Sequence, residues 1–177
     1  PAFQGIDMQQ LIWFRNDLRI SDNSALHAAL QAGPTVAVFL LSPGQWLAHD
    51  AAACKIDFIL RNLVELKKSL ATLNVPLLIR TADQWQQAPK VLAELCQQLN
   101  ISAVHVNTEY GIHESQRDMA VGADLVDQGV LFHSHLDRIL FKPGTVLTQS
   151  GTYFKVFSQF RKTCYQYLDE HIPACLD

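Results

Sequence analysis

The 177 residues are 49% apolar and 18% charged, with a formal net charge of −3, which is enough apolar sequence for one continuous core and a single domain. A domain that grips DNA unaided carries a basic stripe that displaces counterions from phosphates; Lys67-Lys68 and Arg161-Lys162 are isolated pairs, read as solvated helix faces, so DNA binding by this domain alone is not expected. Cys54, Cys96, Cys164 and Cys175 are scattered and form no C-x-x-C pair, which argues against zinc or dithiol chemistry and fits free thiols in a reducing cytoplasm.

Residues 1–7 have no periodicity and precede Met8; Met8 is read as the native start and residues 1–7 as a cloning remnant. No apolar run approaches the roughly 18 residues of a membrane span, and no basic start leads into an apolar stretch as a secretory signal would. Leu11-Ile12-Trp13-Phe14 is apolar without alternation, the pattern of a strand covered on both faces. Ser21, Asp22 and Asn23 offer N-caps for a helix to about residue 31, and Gly33 suits a left-handed stop. Residues 36–41 predict a second covered strand, broken by Pro43-Gly44. Asp50 is placed to cap a long helix over residues 51–73, whose apolar residues Ile56, Ile59, Leu60, Leu63, Val64, Leu66 and Leu70 follow the helical period.

Residues 77–79 predict a third strand and residues 88–99 a helix, with Pro89 in its first turn. Residues 103–106 predict a fourth strand, residues 113–127 a helix, and residues 130–132 a short fifth strand. His133-Ser134-His135, with Asp137 nearby, reads as alternating strand histidines rather than a metal site. Residues 136–154 are irregular, and a last helix spans residues 155–170. Strands alternating with amphipathic helices predict a doubly wound α/β domain: a five-stranded parallel sheet with helices on both faces. Ligands in such sheets sit beyond the carboxyl ends of the strands, which points to Phe14-Arg15, residues 41–43, Arg80-Thr81 and residues 107–109. No G-x-G-x-x-G, P-loop or G-x-S-x-G motif is present, so the usual dinucleotide, phosphate-loop and hydrolase signatures are missing.

The run Trp13-Phe14-Arg15-Asn16-Asp17-Leu18-Arg19-Ile20-Ser21-Asp22-Asn23 resembles the opening W-F-R-x-D-L-R-x-x-D-N of the DNA photolyase and cryptochrome family. The loop Ser42-Pro43-Gly44-Gln45-Trp46, the stretch Asn107 to Asp118 and the segment Tyr153 to Lys162 keep that family's order and spacing, so the resemblance covers about residues 8–175. Gln45-Trp46 and the Tyr153 segment look more like bacterial deoxyribodipyrimidine photolyases than cryptochromes; a cryptochrome photoreceptor domain and a generic nucleotide-binding module are the alternatives.

The resemblance implies a Rossmann-like, light-collecting domain, residues 8–177, that holds an antenna chromophore and passes blue or near-ultraviolet excitation to FAD. It implies that FAD lies in an all-helical C-terminal domain of the full-length chain, through which alone damaged DNA is met. The fragment by itself is then expected to be a catalytically inactive, cytoplasmic monomer with no membrane contact. For a methenyltetrahydrofolate antenna, ranked first, the family's Asn-Glu pair corresponds to His113 and Glu114, with Glu114 accepting hydrogen bonds from the pterin. For an 8-hydroxy-5-deazaflavin or flavin deep in the cleft, Phe14 would stack, Arg15 or Lys55 would neutralise charge, and Asn107 and Glu109 would bond the ring edge.

Overall fold

Leu11, Ile12, Trp13 and Phe14 present apolar side chains to both sides of the backbone, so their strand must lie between two cores. They form the centre of β1 (Gln9–Phe14), the middle strand of a sheet in the computed structural model, which describes residues 8–170 and 172–176. The expected cloning remnant, residues 1–7, lies outside the described residues. Beside β1 run β2 (Thr35–Leu41) and β4 (Ile101–Asn107), flanked by β3 (Leu77–Thr81) and β5 (Leu131–His135) at the edges. The order β3-β2-β1-β4-β5 is parallel throughout, so the five-stranded doubly wound fold is as expected. The chain builds outward from β1 to β3, then crosses to β4, which places the switch in strand order between β1 and β4.

The helices are α1 (Ser24–Ala32), α2 (Pro43–Ala48), α3 (Ala53–Thr72), α4 (Ala88–Leu99), α5 (Ile112–Val126) and α6 (Phe157–Glu170), with a 3-10 turn at Trp85–Gln87. On one face Leu11, Trp13, Val38, Val104 and Val106 pack with Leu92 and Leu95 of α4 and Val121 and Leu125 of α5. On the other, Ile12, Phe14, Ala37 and Phe39 pack with Leu26 and Ala29 of α1 and Leu63, Leu66 and Leu70 of α3.

Asn23 caps α1 as expected: its side chain accepts the Leu26 N–H. Four local expectations change. Pro43 does not simply end β2 but starts α2, where its missing N–H would be unpaired anyway. Asp50 turns the chain at φ 49, and Ala52 precedes α3 without a side-chain cap. Leu60 and Val64 are 45% and 56% exposed; α3 lies at the rim of the sheet, so only a narrow stripe is covered. Gly33 closes α1 at φ 156, ψ −167, a mirror-extended rather than left-handed helical conformation, and a Cβ there would stand 3.0 Å from the Met8 carbonyl.

Candidate functional site

β1 and β4 deliver Arg15, Asn16, Asn107 and Glu109 to the switch in strand order, where the crevice rule looks for a ligand. The structure fills that position with a polar network. Arg15 Nη1 donates to both Asp118 oxygens (3.1 and 3.2 Å), and Nη2 donates to the Asn107 carbonyl. Glu109 accepts from Asn16 Nδ2 (2.6 Å), Arg117 Nη2 (2.8 Å) and Arg138 Nη1 (3.3 Å). Burial works to raise the Glu109 pKa, but the Arg15 charge and the bonds from Arg117 and Asn16 outweigh it, so the net direction is down. Asn107 Nδ2 donates to Asp17 Oδ2 (2.7 Å) and Asn23 Oδ1 (2.8 Å), while its Oδ1 accepts the Ala25 N–H (2.9 Å).

These partners change the reading of four residues. Arg15, Asn107 and Glu109 are buried and committed to the loops of the fold itself, because a buried charge must be neutralised whether or not a ligand is present. Phe14 is fully buried in the core; the hollow it lines with Trp13, Trp46, Trp85 and Arg117 measures about 60 Å³, room for a few waters but not for a tricyclic ring. Lys55, exposed in the first turn of α3, lines a groove of about 340 Å³ together with Arg15, Asn16, Arg19, Phe58 and Asn62. The deep-cleft set is therefore divided: Arg15 and Lys55 share that groove, whereas Phe14, Asn107 and Glu109 do not line it.

A larger hollow, about 420 Å³, opens between α2, the 3-10 turn and α5. His113, in the first turn of α5, reaches it, as do Gln45, His49, Trp85, Gln116 and Arg117. His49 stacks on Trp85 (ring centres 6.4 Å apart, planes at 21°) and meets His113 edge-on at 6.1 Å. The Arg117 guanidinium lies between Trp13 and Trp85, 4.8 Å from each ring centre, a cation–π sandwich that fixes the indole at the floor. Gln45 Oε1 accepts the Trp85 N–H at 3.3 Å. Glu114 is half-buried, its carboxylate folded toward Gly111, where an added Cβ would meet Oε2 at 2.0 Å; only Gly leaves it that space.

Aromatic walls with amide and imidazole groups at the edges suit a planar, hydrogen-bonding heterocycle. Sequence reading missed His49, Trp85 and Arg117. The Trp85 loop has no periodicity, and the signal for Arg117 lay within the matched Asn107 to Asp118 stretch. Among the described residues no group of three His, Cys, Asp or Glu is arranged to hold a metal, and no helix is long and apolar enough to cross a membrane.

The family model described as DNA photolyase matches residues 10–176. A deoxyribodipyrimidine photo-lyase of Vibrio cholerae is 40% identical over 154 residues, 86% of this chain and 33% of its own length. That of Escherichia coli is 30% identical over 168 residues, 94% and 35% respectively. Among solved structures, a class III photolyase from Agrobacterium tumefaciens superposes with a TM-score of 0.72 at 26% identity, over 97% of this chain and 34% of that one. A Synechocystis cryptochrome shares the fold at a TM-score of 0.76 and 21% identity, over 95% of this chain and 35% of that one. The chain thus spans about a third of the length of the curated relatives it matches.

Proposed function

Because the chain belongs to the DNA photolyase family, we propose that residues 8–177 are the light-harvesting domain of a deoxyribodipyrimidine photolyase, holding a methenyltetrahydrofolate antenna in the hollow between α2 and α5. The whole enzyme would repair cyclobutane pyrimidine dimers, with FAD and the damaged DNA handled by a C-terminal domain, in the cytoplasm and as a monomer. The bound antenna would supply absorption in the near-ultraviolet and blue and transfer of excitation to FAD.

Size sets aside the strand-tip hollow, at about 60 Å³. The outer hollow, about 420 Å³, and the Lys55 groove, about 340 Å³, both fall in the range of ligand sites, roughly 300–1,000 Å³. The stacked Trp85 and His49 rings of the outer hollow carry the choice between them. Its residues also fit a pterin. Trp85 and His49 offer flat faces, and Gln45 and Gln116 offer amides. His113 can donate or accept; Glu114, beside it on α5 but outside the walls of the hollow, would accept from the pterin amide and amine once turned outward from Gly111. The deazaflavin or flavin alternative rests on Lys55 and its separate groove.

Titration of the isolated chain, by absorption, with methenyltetrahydrofolate and separately with 8-hydroxy-5-deazaflavin distinguishes the two. Weak folate binding is expected. Glu114→Ala and Trp85→Ala should abolish it, and Lys55→Ala should leave it unchanged. Deazaflavin binding that depends on Lys55, with no folate signal, would overturn the assignment. Light-dependent dimer repair by the isolated chain, even with added flavin, would refute the reading of this segment as a light collector alone.

A further inference from the structure

His105, His133 and His135 take no part in the proposed chromophore site, yet they gather where the sheet is least supported. His105 pairs in register with His133 across β4 and β5, and His135, two residues on, shares the same face. The His105 ring lies 5.0 Å from that of His133 and 5.3 Å from that of His135, nearly parallel to the latter. His105 Nδ1 and His135 Nε2 are 3.1 Å apart, and His105 Nε2 meets Gln10 Oε1 at 3.1 Å. Gln10 Oε1 can only accept, so that bond is made by the His105 Nε2–H in either charge state, whereas the bond between His105 Nδ1 and His135 Nε2 needs a lone pair on one of the two rings and is lost when both are charged. A proton on His105 would turn Nδ1 and Nε2 into donors at once, and a second proton on His135 would set two donors face to face.

Charge has little compensation there. β1 carries no ionisable residue, β4 only His105, and α1, packed on the same face, only His27. α5 packs the opposite face, with Gly122 against Phe132, so its Glu114, Arg117, Asp118 and Asp124 lie across the sheet. Asp137 is the one carboxylate acting on His135, and it is already paired with Arg19 at 2.9 Å. Burial, aided by the neighbouring imidazoles, accordingly pushes His105 down to about 4, and burial lowers His135 as well.

β5 is an edge strand held by β4 alone, and the residues behind it reach back into the fold. Asp137 accepts the Ser24 N–H at the start of α1 (3.2 Å), Ser24 Oγ donates to the Leu136 carbonyl (2.9 Å), and Arg138 donates to Glu109 (3.3 Å). We propose that β5 and its trailing segment are an acid-released latch: charging of the hydrogen-bonded His105–His135 pair parts β5 from β4, withdrawing Asp137 from α1 and Arg138 from Glu109. The rest of the sheet stays paired, because β2 and β3 share none of these groups and β1 meets them only through the Gln10 side chain.

Hydrogen exchange of the whole chain, corrected for intrinsic rates, tests this at about pH 7.5 and pH 5. The latch predicts that residues 131–138 open with a smaller free energy than β1 and β2 at both pH values, and that their opening rises at least on the order of tenfold at pH 5; an open histidine with an ordinary value takes up the proton that buried His105 refuses. His105→Gln, whose amide can bond both Gln10 and His135, should remove most of that rise. His133→Asn, at an exposed position, should weaken it without loss of fold. Unchanged β5 protection, an opening free energy of residues 131–138 equal to that of β1 and β2, or a rise that persists in both variants would each overturn the latch. An imidazole titration of the unmodified chain showing His105 with an ordinary value would do so too.

Discussion

Asn107 shows how a strand-tip residue can look like a ligand contact and act as a brace. Its side chain is almost fully buried and joins Asp17 and Asn23 to the first turn of α1. Truncation would leave the Asp17 carboxylate and a helix N–H short of partners, each loss worth about 1–3 kcal/mol. Asn107→Ala should therefore lower unfolding free energy by about 3 kcal/mol in urea titrations, whereas Lys55→Ala, at an exposed position, should stay within about 0.5 kcal/mol. The residue type at 107 was legible, because polar groups at strand ends are few. Its role was not: whether a buried amide faces a ligand or the chain's own loops depends on Asp17, Asn23 and Ala25 folding back over it.

At the scale of elements, apolar periodicity located α3 but not its buried width. Leu70 is fully buried and Leu60 is 45% exposed, although both lie on the predicted apolar stripe. Leu70→Ala should cost about 3 kcal/mol, within the 2–5 kcal/mol range for buried Leu truncations, and Leu60→Ala less than about 1 kcal/mol, both read from denaturant midpoints at constant slope. The covered strands were read more surely, since a sheet packed on both faces leaves no polar position from Leu11 to Phe14 or from Val36 to Leu41 to blur the pattern. Asp50 failed as a cap because the chain turns there at positive φ, a turn closed by the Ala51 N–H donating to the Trp46 carbonyl at 2.9 Å.

Across the whole molecule, acid should weaken the fold. His105 is held down to about 4, and Glu109 is net lowered, so the unfolded chain binds more protons than the folded one as pH falls below about 6.5. The contribution of His105 is complete above that value and is lost as pH drops toward 4; Glu109 adds its own loss below the ordinary carboxylate range. Stability at pH 5 should be lower than at pH 7.5 by about 1–2 kcal/mol from His105, measured by urea unfolding at each pH, and the difference should shrink in His105→Gln. A stability that rose on acidification would contradict both shifts.

By itself the sequence determined the parallel doubly wound sheet, its five strands and the family, because unbroken apolar runs and the Trp13 to Asn23 motif are local signals that need no partner to be recognised. The size and lining of each hollow were decided only in three dimensions. The walls of the outer hollow come from α2, the 3-10 turn and α5, and the strand-tip cleft is closed by Arg15, Arg117 and Glu109 pairing across the switch. Cavity volume and charge pairing arise from residues far apart in the chain, so no reading of spacing alone could supply them.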